Sequence, residues 1–217
     1  MPNSLELSQL REDYRLAVLD ESLCASNPIR QFERWFQDAK TAALKEPNAM
    51  TLATVNALGK PSARIVLLKG IESDRFIFYT NYESRKGQEL AYNPNCALTF
   101  YWAELERQVR VEGVVEKVSK QTSEEYFKGR PKGSRIGAVV SNQSAELPSR
   151  APLETRLAEL ERAFANTDEV PMPESWGGYY VKPNMLEFWQ GRTNRLHDRI
   201  VYRLNPAGTW RMGRLSP

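Results

Sequence analysis

The chain has 217 residues, 41% of them hydrophobic, with 30 basic against 27 acidic side chains and a net charge of +3. That size suits one β-rich domain with a substantial core, and charge this near balance argues against nucleic-acid binding driven by bulk charge. Cys24 and Cys96 have no metal-ligand or redox spacing and there is a single histidine, which argues against a conventional zinc site. No run approaches the ~18 apolar residues of a membrane span, and the opening MPNSLELSQLRED lacks the apolar stretch of a secretory signal. A soluble, cytoplasmic protein with reduced thiols is expected.

Residues 1–27 are polar and weakly patterned, and are expected to be a flexible segment ahead of a single domain over 28–217. Phe32, Trp35, Phe36, Ala39 and Ala43 recur at helical spacing between Pro28 and Pro47, which predicts an amphipathic helix. MTLATVN, PSARIVLLK and RFIFYT, separated by the turns ALGK and ESD, predict an antiparallel meander. SRKGQELAY predicts a short helix, NCALTFYW and ERQVRVEGVVEKVS two strands, and TSEEYF a helix opened by a Thr122 to Glu125 capping box. Leu153, Leu157, Leu160 and Phe164 mark a longer helix from near Ser149. WGGYYVKP, MLEFWQG, NRLHDRIVYRL and TWRMGRL predict four more short strands. Roughly seven or eight strands with peripheral helices predict an α+β fold built on an antiparallel β-barrel, since closure removes exposed edges.

Four segments carry candidate chemistry. In YTNYESRKGQ, Ser84 is a natural N-cap, which places Arg85 and Lys86 in a first helical turn just after Tyr79 and Thr80. Cations there oppose the helix dipole unless an anion is bound, so the segment is either a phosphate site or a solvated basic turn. In ARIVLLK, the centre reads as a strand buried on both faces, with Arg64 and Lys69 at its ends. Five residues apart, they point to opposite faces of a regular strand and share a ligand only if it lies across the strand or a bulge re-aims one. In EYFKGRPKGSRIGAVVSNQS, Tyr126 and Arg130 form an i, i+4 pair, Pro131 stops the helix and Ser134 is placed to cap the next, a set suited to a phosphate or to ordinary capping. Gln143 and Ser144 follow in a polar loop. In EFWQGRTNRLHDR, extension from Asn194 to Tyr202 sets Arg195, His197 and Arg199 on one strand face, about 7 Å apart. Such a row needs solvent or an anion, and the surplus of candidate phosphate sites in a nearly neutral chain favours two phosphorylated ligands.

LEFWQGRTNRLHDR resembles the signature of the pyridoxine/pyridoxamine 5′-phosphate oxidases, and RIVLLK, FYTNYESRKGQEL, ERQVRVEG, YFKGRPKGSRIGAVVSNQS and WGGYYVKP resemble that family in the same order. The likeness covers about residues 28–217; ahead of it only Arg11 and Tyr14 are similar to the family's substrate-covering segment. The resemblance implies an FMN-binding split barrel, a homodimer with FMN in clefts between subunits. It implies oxidation of pyridoxine 5′-phosphate and pyridoxamine 5′-phosphate to pyridoxal 5′-phosphate, with O2 reduced to H2O2. By position, Arg64, Lys69, Tyr79, Thr80, Arg85, Lys86, Gln108, Gln143, Ser144, Trp189 and Arg199 would bind FMN. Lys69, Tyr126, Arg130, Ser134, Arg195 and His197, with Arg11 and Tyr14, would bind substrate, and Arg195 and His197 would be catalytic. Neither metal, nucleic acid nor membrane is implied. The alternatives are another split-barrel flavoprotein, such as a flavin reductase, or a non-catalytic pyridoxal phosphate carrier.

Overall fold

The computed structural model describes residues 13–217, so Arg11 lies outside the described residues. These form five α-helices, α1 (Pro28–Thr41), α2 (Arg85–Tyr92), α3 (Lys120–Lys128), α4 (Lys132–Val140) and α5 (Ala151–Ala163). The strands are β1 (Ala49–Val55), β2 (Pro61–Leu67), β3 (Gly70–Glu72), β4 (Arg75–Asn81), β5 (Asn95–Trp102), β6 (Arg107–Lys117), β7 (Trp176–Gln190), β8 (Asp198–Leu204) and β9 (Trp210–Arg214). The chain divides into two compact units, one of residues 48–98 and 112–184, the other of residues up to 47, 99–111 and 185–217. The fold is an antiparallel split β-barrel of α+β class, with strand order β2-β1-β5-β6-β7-β4-β3 and β8 and β9 branching from β7.

In the unit of residues 48–98 and 112–184, β1 and β2 form a hairpin and β3 and β4 another. The predicted meander does not continue between them, because β2 and β3, consecutive in sequence, stand at opposite ends of the strand order. Two residues make the passage. The Leu68 N–H donates to Asn48 O (2.8 Å) beside β1, and the next, Lys69 N–H, donates to Ile77 O (2.8 Å) of β4. Curling the sheet at this corner buries Leu68 together with Phe76, Ile77 and Phe78, which a flat meander would leave wet on one face. β2 is also not the doubly buried strand expected: it is paired only with β1 in that order, and Ile65 is 64% exposed. The β3–β4 turn is the two-residue kind, with Ser73 and Asp74 both left-handed (φ 48° and 62°). Leu160, Ile136 and Val170 bury against Val139, Leu157 and Phe164, so α4 and α5 share a small core of their own.

Two local expectations change. α3 is capped by Ser119, whose hydroxyl accepts from the Thr122 N–H (3.1 Å). Thr122 is therefore inside the helix and Glu125 takes a bond from Gln121 instead of closing a capping box. WGGYYVKP and MLEFWQG are one strand, β7, which pairs β4 over Trp176–Val181 and β8 over Met185–Gln190. Pro183 falls in the gap between those two ladders, where its missing N–H costs neither a bond.

In the other unit, α1 starts at Asn27, whose Oδ1 accepts from the Ile29 and Arg30 N–H groups (2.7 and 3.2 Å), with Pro28 at the first helical position. It stops at Thr41 and not beyond Ala43: Ala43 is left-handed (φ 54°), and the Ala43 and Leu44 N–H groups return to Lys40 O and Ala39 O, a Schellman closure. Its buried face meets Phe100 through Phe32 (4.9 Å) and Phe188 through Trp35 (5.2 Å, edge on).

Candidate functional site

The unit of residues 48–98 and 112–184 holds a cavity of about 430 Å³ lined by side chains from several elements. Arg64 and Lys69 come from β2 and its corner, Tyr79 and Thr80 from β4, Lys86 from α2. Tyr126 and Arg130 enter from α3 and its end, Ser134 from α4, and Gln143 from the loop after it. Arg64 and Lys69 thus share a cavity despite their five-residue spacing, because the strand ends at Leu67 and the corner turns Lys69 toward β4. Ser134 sits in the first turn of α4 and is not its cap; Pro131 holds that position without a side-chain bond. Arg85 and Ser144 belong to the same unit but do not line the cavity.

The expected helix start is present, with the Ser84 hydroxyl accepting from the Gly87 N–H (3.3 Å). The two cations after it have different surroundings. Arg85 is turned back on its own helix, Nε to Glu89 Oε1 at 2.9 Å. Among the described residues Lys86 is hydrogen-bonded to neutral groups, Gln143 Oε1 (2.7 Å), Thr80 Oγ1 (3.2 Å) and Ser84 Oγ (3.4 Å). Burial, and then the nearby Arg64 charge, push its ammonium below the usual lysine range.

Glu89, which sequence reasoning missed, is the one carboxylate that organises this wall. It is buried and accepts from Thr54 Oγ1 (2.5 Å), Ser62 Oγ (2.7 Å), Arg64 Nη2 (3.1 Å) and Arg85 Nε (2.9 Å). Burial alone would raise its pKa, but these bonds outweigh it and bring the carboxyl down to about 2. Arg64 is also fixed by Thr54 Oγ1 and Leu52 O, so its guanidinium is held rigidly at the cavity edge.

On the opposite wall, the Tyr79, Tyr126 and Trp176 rings lie nearly parallel: Tyr79 and Tyr126 centroids are 3.9 Å apart at 4°, Tyr79 and Trp176 5.3 Å at 7°. Gly178 makes room for this, since a Cβ there would fall 2.8 Å from the Tyr79 ring. Burial pushes the Tyr79 phenol up to about 12, so it stays protonated. Arg130 has a buried Nη1 without a hydrogen-bond partner, and no carboxylate pairs with it among the described residues. Burial lowers its pKa. Lys86 and Arg130 are cations in a partly dry cavity with no carboxylate bonded to either among the described residues, although Glu89 lies near enough to Lys86 to favour its charge, and this fits a phosphorylated ligand such as FMN.

A second cluster lies in the other unit. The predicted extension from Asn194 is absent: Asn194 and Arg195 are both left-handed (φ 57° and 60°), and β8 begins only at Asp198. The three-cation row therefore does not form. The turn is closed by the Arg192 N–H donating to His197 Nδ1 (3.1 Å). With Nδ1 accepting, neutral His197 carries its proton on Nε2. Desolvation, and then Arg195, lower its pKa. Its ring packs on Trp189 (4.7 Å) and Tyr14 (5.8 Å), and a Cβ at Gly191 would strike Tyr14 at 2.7 Å. Arg195 is exposed. Arg199 is bound to the buried Glu187 (2.7 Å), which also holds Arg110 (3.0 Å). Asp198 anchors Arg192, Arg214 and the Leu19 N–H. Gln108 is half-buried in β6.

Known proteins resemble the chain over its whole length. The family described as pyridoxamine 5′-phosphate oxidase matches residues 36–163, and the pyridoxine 5′-phosphate oxidase C-terminal dimerisation region matches residues 176–217. The chain belongs to the pyridoxine/pyridoxamine 5′-phosphate oxidase family. A relative of that description from Cupriavidus necator is 58% identical over 212 residues, 98% of this chain and 99% of its own. Another, from Trichormus variabilis, is 54% identical over 97% of this chain and 98% of its own. Among solved structures, PhzG from Burkholderia lata 383, in complex with tetrahydrophenazine-1-carboxylic acid, has a TM-score of 0.86 at 31% identity, covering 93% of this chain and 99% of that one. A pyridoxamine 5′-phosphate oxidase-related, FMN binding protein from Nostoc punctiforme has a TM-score of 0.71 at 16% identity, covering 88% and 98%, a likeness of fold.

Two predictions follow from the charge states. Glu89 has a depressed pKa, so its stabilisation is present above the ordinary value of 4.5 and is lost as pH falls toward about 2. Glu89→Gln should lose about 3 kcal/mol at neutral pH, and its unfolding free energy should change less with pH than the wild type's across that acid window. His197 is the chain's single histidine, so NMR of untagged protein reports it without ambiguity. The expected result is the Nε2–H tautomer with a pKa below 6.5, and a dominant Nδ1–H tautomer would contradict the turn geometry.

Proposed function

We propose that the protein is an FMN-dependent oxidase that converts pyridoxine 5′-phosphate and pyridoxamine 5′-phosphate to pyridoxal 5′-phosphate, with O2 reduced to H2O2. The observation that carries this reading is the pair of cations, Lys86 and Arg130, that line one cavity with no carboxylate bonded to either among the described residues. Each suits one phosphate, the first of the cofactor and the second of the substrate. Family membership and 58% identity to an oxidase of this description support the substrate class.

In this reading Lys86, Thr80 and Gln143 take the FMN phosphate beside the start of α2, and Arg64 is presented by Glu89. Arg85, Tyr79, Lys69, Ser144, Gln108, Trp189 and Arg199 are the further FMN residues. Arg85 and Arg199 are committed to Glu89 and Glu187, so they contribute less than Lys86. Tyr126, Arg130 and Ser134 hold the substrate phosphate, with Lys69 between the two ligands. Arg195 and His197 serve the reacting end of the substrate, and Tyr14 with Arg11 covers it. His197 acts as a donor through Nε2, since its Nδ1 lone pair is taken by the Arg192 N–H. Bound FMN supplies a two-electron acceptor for the substrate carbon that bears the hydroxyl or amine, and O2 takes the electrons on as H2O2. The chain's own contribution is positioning, to a separation of ~3–3.5 Å at the reacting carbon.

The segment ahead of residue 28 covers a single catalytic domain over 28–217, in a homodimer that works in the cytoplasm; Leu19 and Ala25 of that segment are bonded to Asp198 and Tyr202. The match of residues 176–217 to a dimerisation region supports the dimer. Sedimentation should give about twice the 24.9 kDa chain mass, and an active monomer would refute it.

The deciding experiment follows H2O2 release from purified, yellow protein given each phosphorylated vitamer. Release with either distinguishes an oxidase from a carrier, and its absence, with nicotinamide-driven flavin reduction instead, would mark a flavin reductase. Lys86→Ala should weaken FMN binding more than about tenfold, the loss of one charge-assisted bond. Arg85→Ala should cost less than about threefold, because Arg85 is turned onto Glu89 and does not line the cavity, where a charge-assisted bond would act. Equal losses would refute the division between the two cations.

A further inference from the structure

Arg130 poses a structural question that its proposed role leaves open. A long guanidinium side chain samples many rotamers, and a site that orders it with a carboxylate neutralises the charge an incoming anion needs. Arg130 has no carboxylate partner among the described residues and its Nη1 is buried without an acceptor. Its guanidinium carbon lies instead 4.9 Å from the Trp176 ring centroid and 5.6 Å from that of Phe127. Aromatic faces attract a cation without occupying its N–H groups.

We propose that Trp176 is a positioning residue for the substrate-phosphate site, its indole face holding the Arg130 guanidinium in place with Nη1 unspent for the anion. The inference rests on the phosphate role given to Arg130 above. Three features fix the platform. Trp176 opens β7 opposite Asn81 of β4, and its N–H donates to Pro173 O (2.9 Å). Its ring is parallel to Tyr79 and Tyr126 (7° and 4°) and meets Phe127 edge-on at 4.9 Å. Arg130 itself leaves the C-terminal end of α3, its N–H on Phe127 O (3.1 Å), where the helix dipole favours a cation. Trp176 lines the same cavity as Tyr126, Arg130 and Ser134. The indole therefore stabilises a desolvated cation that a carboxylate would have silenced, and Tyr126 is aligned with it by the same stack.

The test uses the flavin-loaded enzyme with pyridoxine 5′-phosphate as substrate and inorganic phosphate as competitor. Trp176→Leu should raise both KM and the inhibition constant of inorganic phosphate roughly ten- to thirtyfold, the loss of a desolvated cation–π contact. The kcat and FMN content should stay within about twofold, since only uniform binding is removed. Trp176→Phe, which keeps a smaller ring, should raise both constants about threefold. A merely structural role would lower FMN content and kcat and leave the phosphate inhibition constant of the remaining holoenzyme unchanged. Arg130→Leu separates the two readings. If it weakens phosphate binding while Trp176→Leu does not, the inference is overturned and the phosphate assignment stands. If Arg130→Leu leaves both constants at wild type, the assignment fails and takes the inference with it. Should Trp176→Leu not fold, Trp176→Phe decides, and wild-type constants in it overturn the proposal.

Discussion

An ammonium or guanidinium taken out of water loses hydration that neutral hydroxyls and amides return only in part. It is then stabilised either by a carboxylate of the protein or by an anion from outside. This protein uses both solutions in one unit and keeps them apart. Glu89 supplies the charge for Arg64 and Arg85, so those side chains hold a fixed geometry whether or not a ligand is present. Lys86 receives an amide and two hydroxyls, and Arg130 receives aromatic faces. Both sets orient a cation without bonding a carboxylate to it, and burial lowers both pKa values. In the proposed reading, the phosphates of the two ligands supply the charge that the protein itself does not bond to either cation.

The same cavity depends on a topological constraint. β2 brings Arg64 and β4 brings Tyr79 and Thr80, yet these strands lie far apart in the strand order. They meet because the chain crosses from β1 pairing to β4 pairing between Leu68 and Lys69. Lys69 owes its place beside Arg64's cavity to that corner. The apolar row that the corner buries, Leu68 with Phe76 and Phe78, is thus also what aligns the polar groups. A polar substitution at Leu68 would act on the site through the corner and not through any ligand contact.

What the sequence made legible was local. Ser84 as a helix cap and Lys86 in the turn after it depend on periodicities of four residues or fewer, and both appear in the structure; Tyr126 and Arg130 do line one cavity, but α3 ends at Lys128, before Pro131, so they are not a pair within one helix. The family motifs located the remaining segments. What was hidden was set by distant partners. Nothing in RIVLLK announces that its strand ends at Leu67, since the hydrogen bonds that end it go to Asn48 and Ile77. Glu89 reads as one more helical glutamate until Thr54 and Ser62 are seen above it. Trp176 was inside a quoted motif, WGGYYVKP, but its cation partner is 46 positions away, beyond any pattern a single chain displays. The left-handed Asn194 and Arg195 broke the expected strand, and with no glycine at either position only the tolerance of asparagine for that conformation hinted at it.

That broken strand changes the chemistry assigned to RLHDR. An extended row would have made Arg195, His197 and Arg199 three equivalent cations facing one ligand. The turn instead gives each a separate electrical state. Arg199 is neutralised by Glu187, Asp198 is spent on tethering Leu19 and Arg214, and Arg195 remains exposed. His197, with its Nδ1 lone pair held by the Arg192 N–H and its pKa lowered, is neutral and can only donate through Nε2. Protonating it would set an Nδ1–H against that backbone N–H, so the turn itself opposes the imidazolium. The backbone conformation at Asn194 and Arg195, by closing the turn on Nδ1, leaves Nε2–H as the open hydrogen-bonding group of His197.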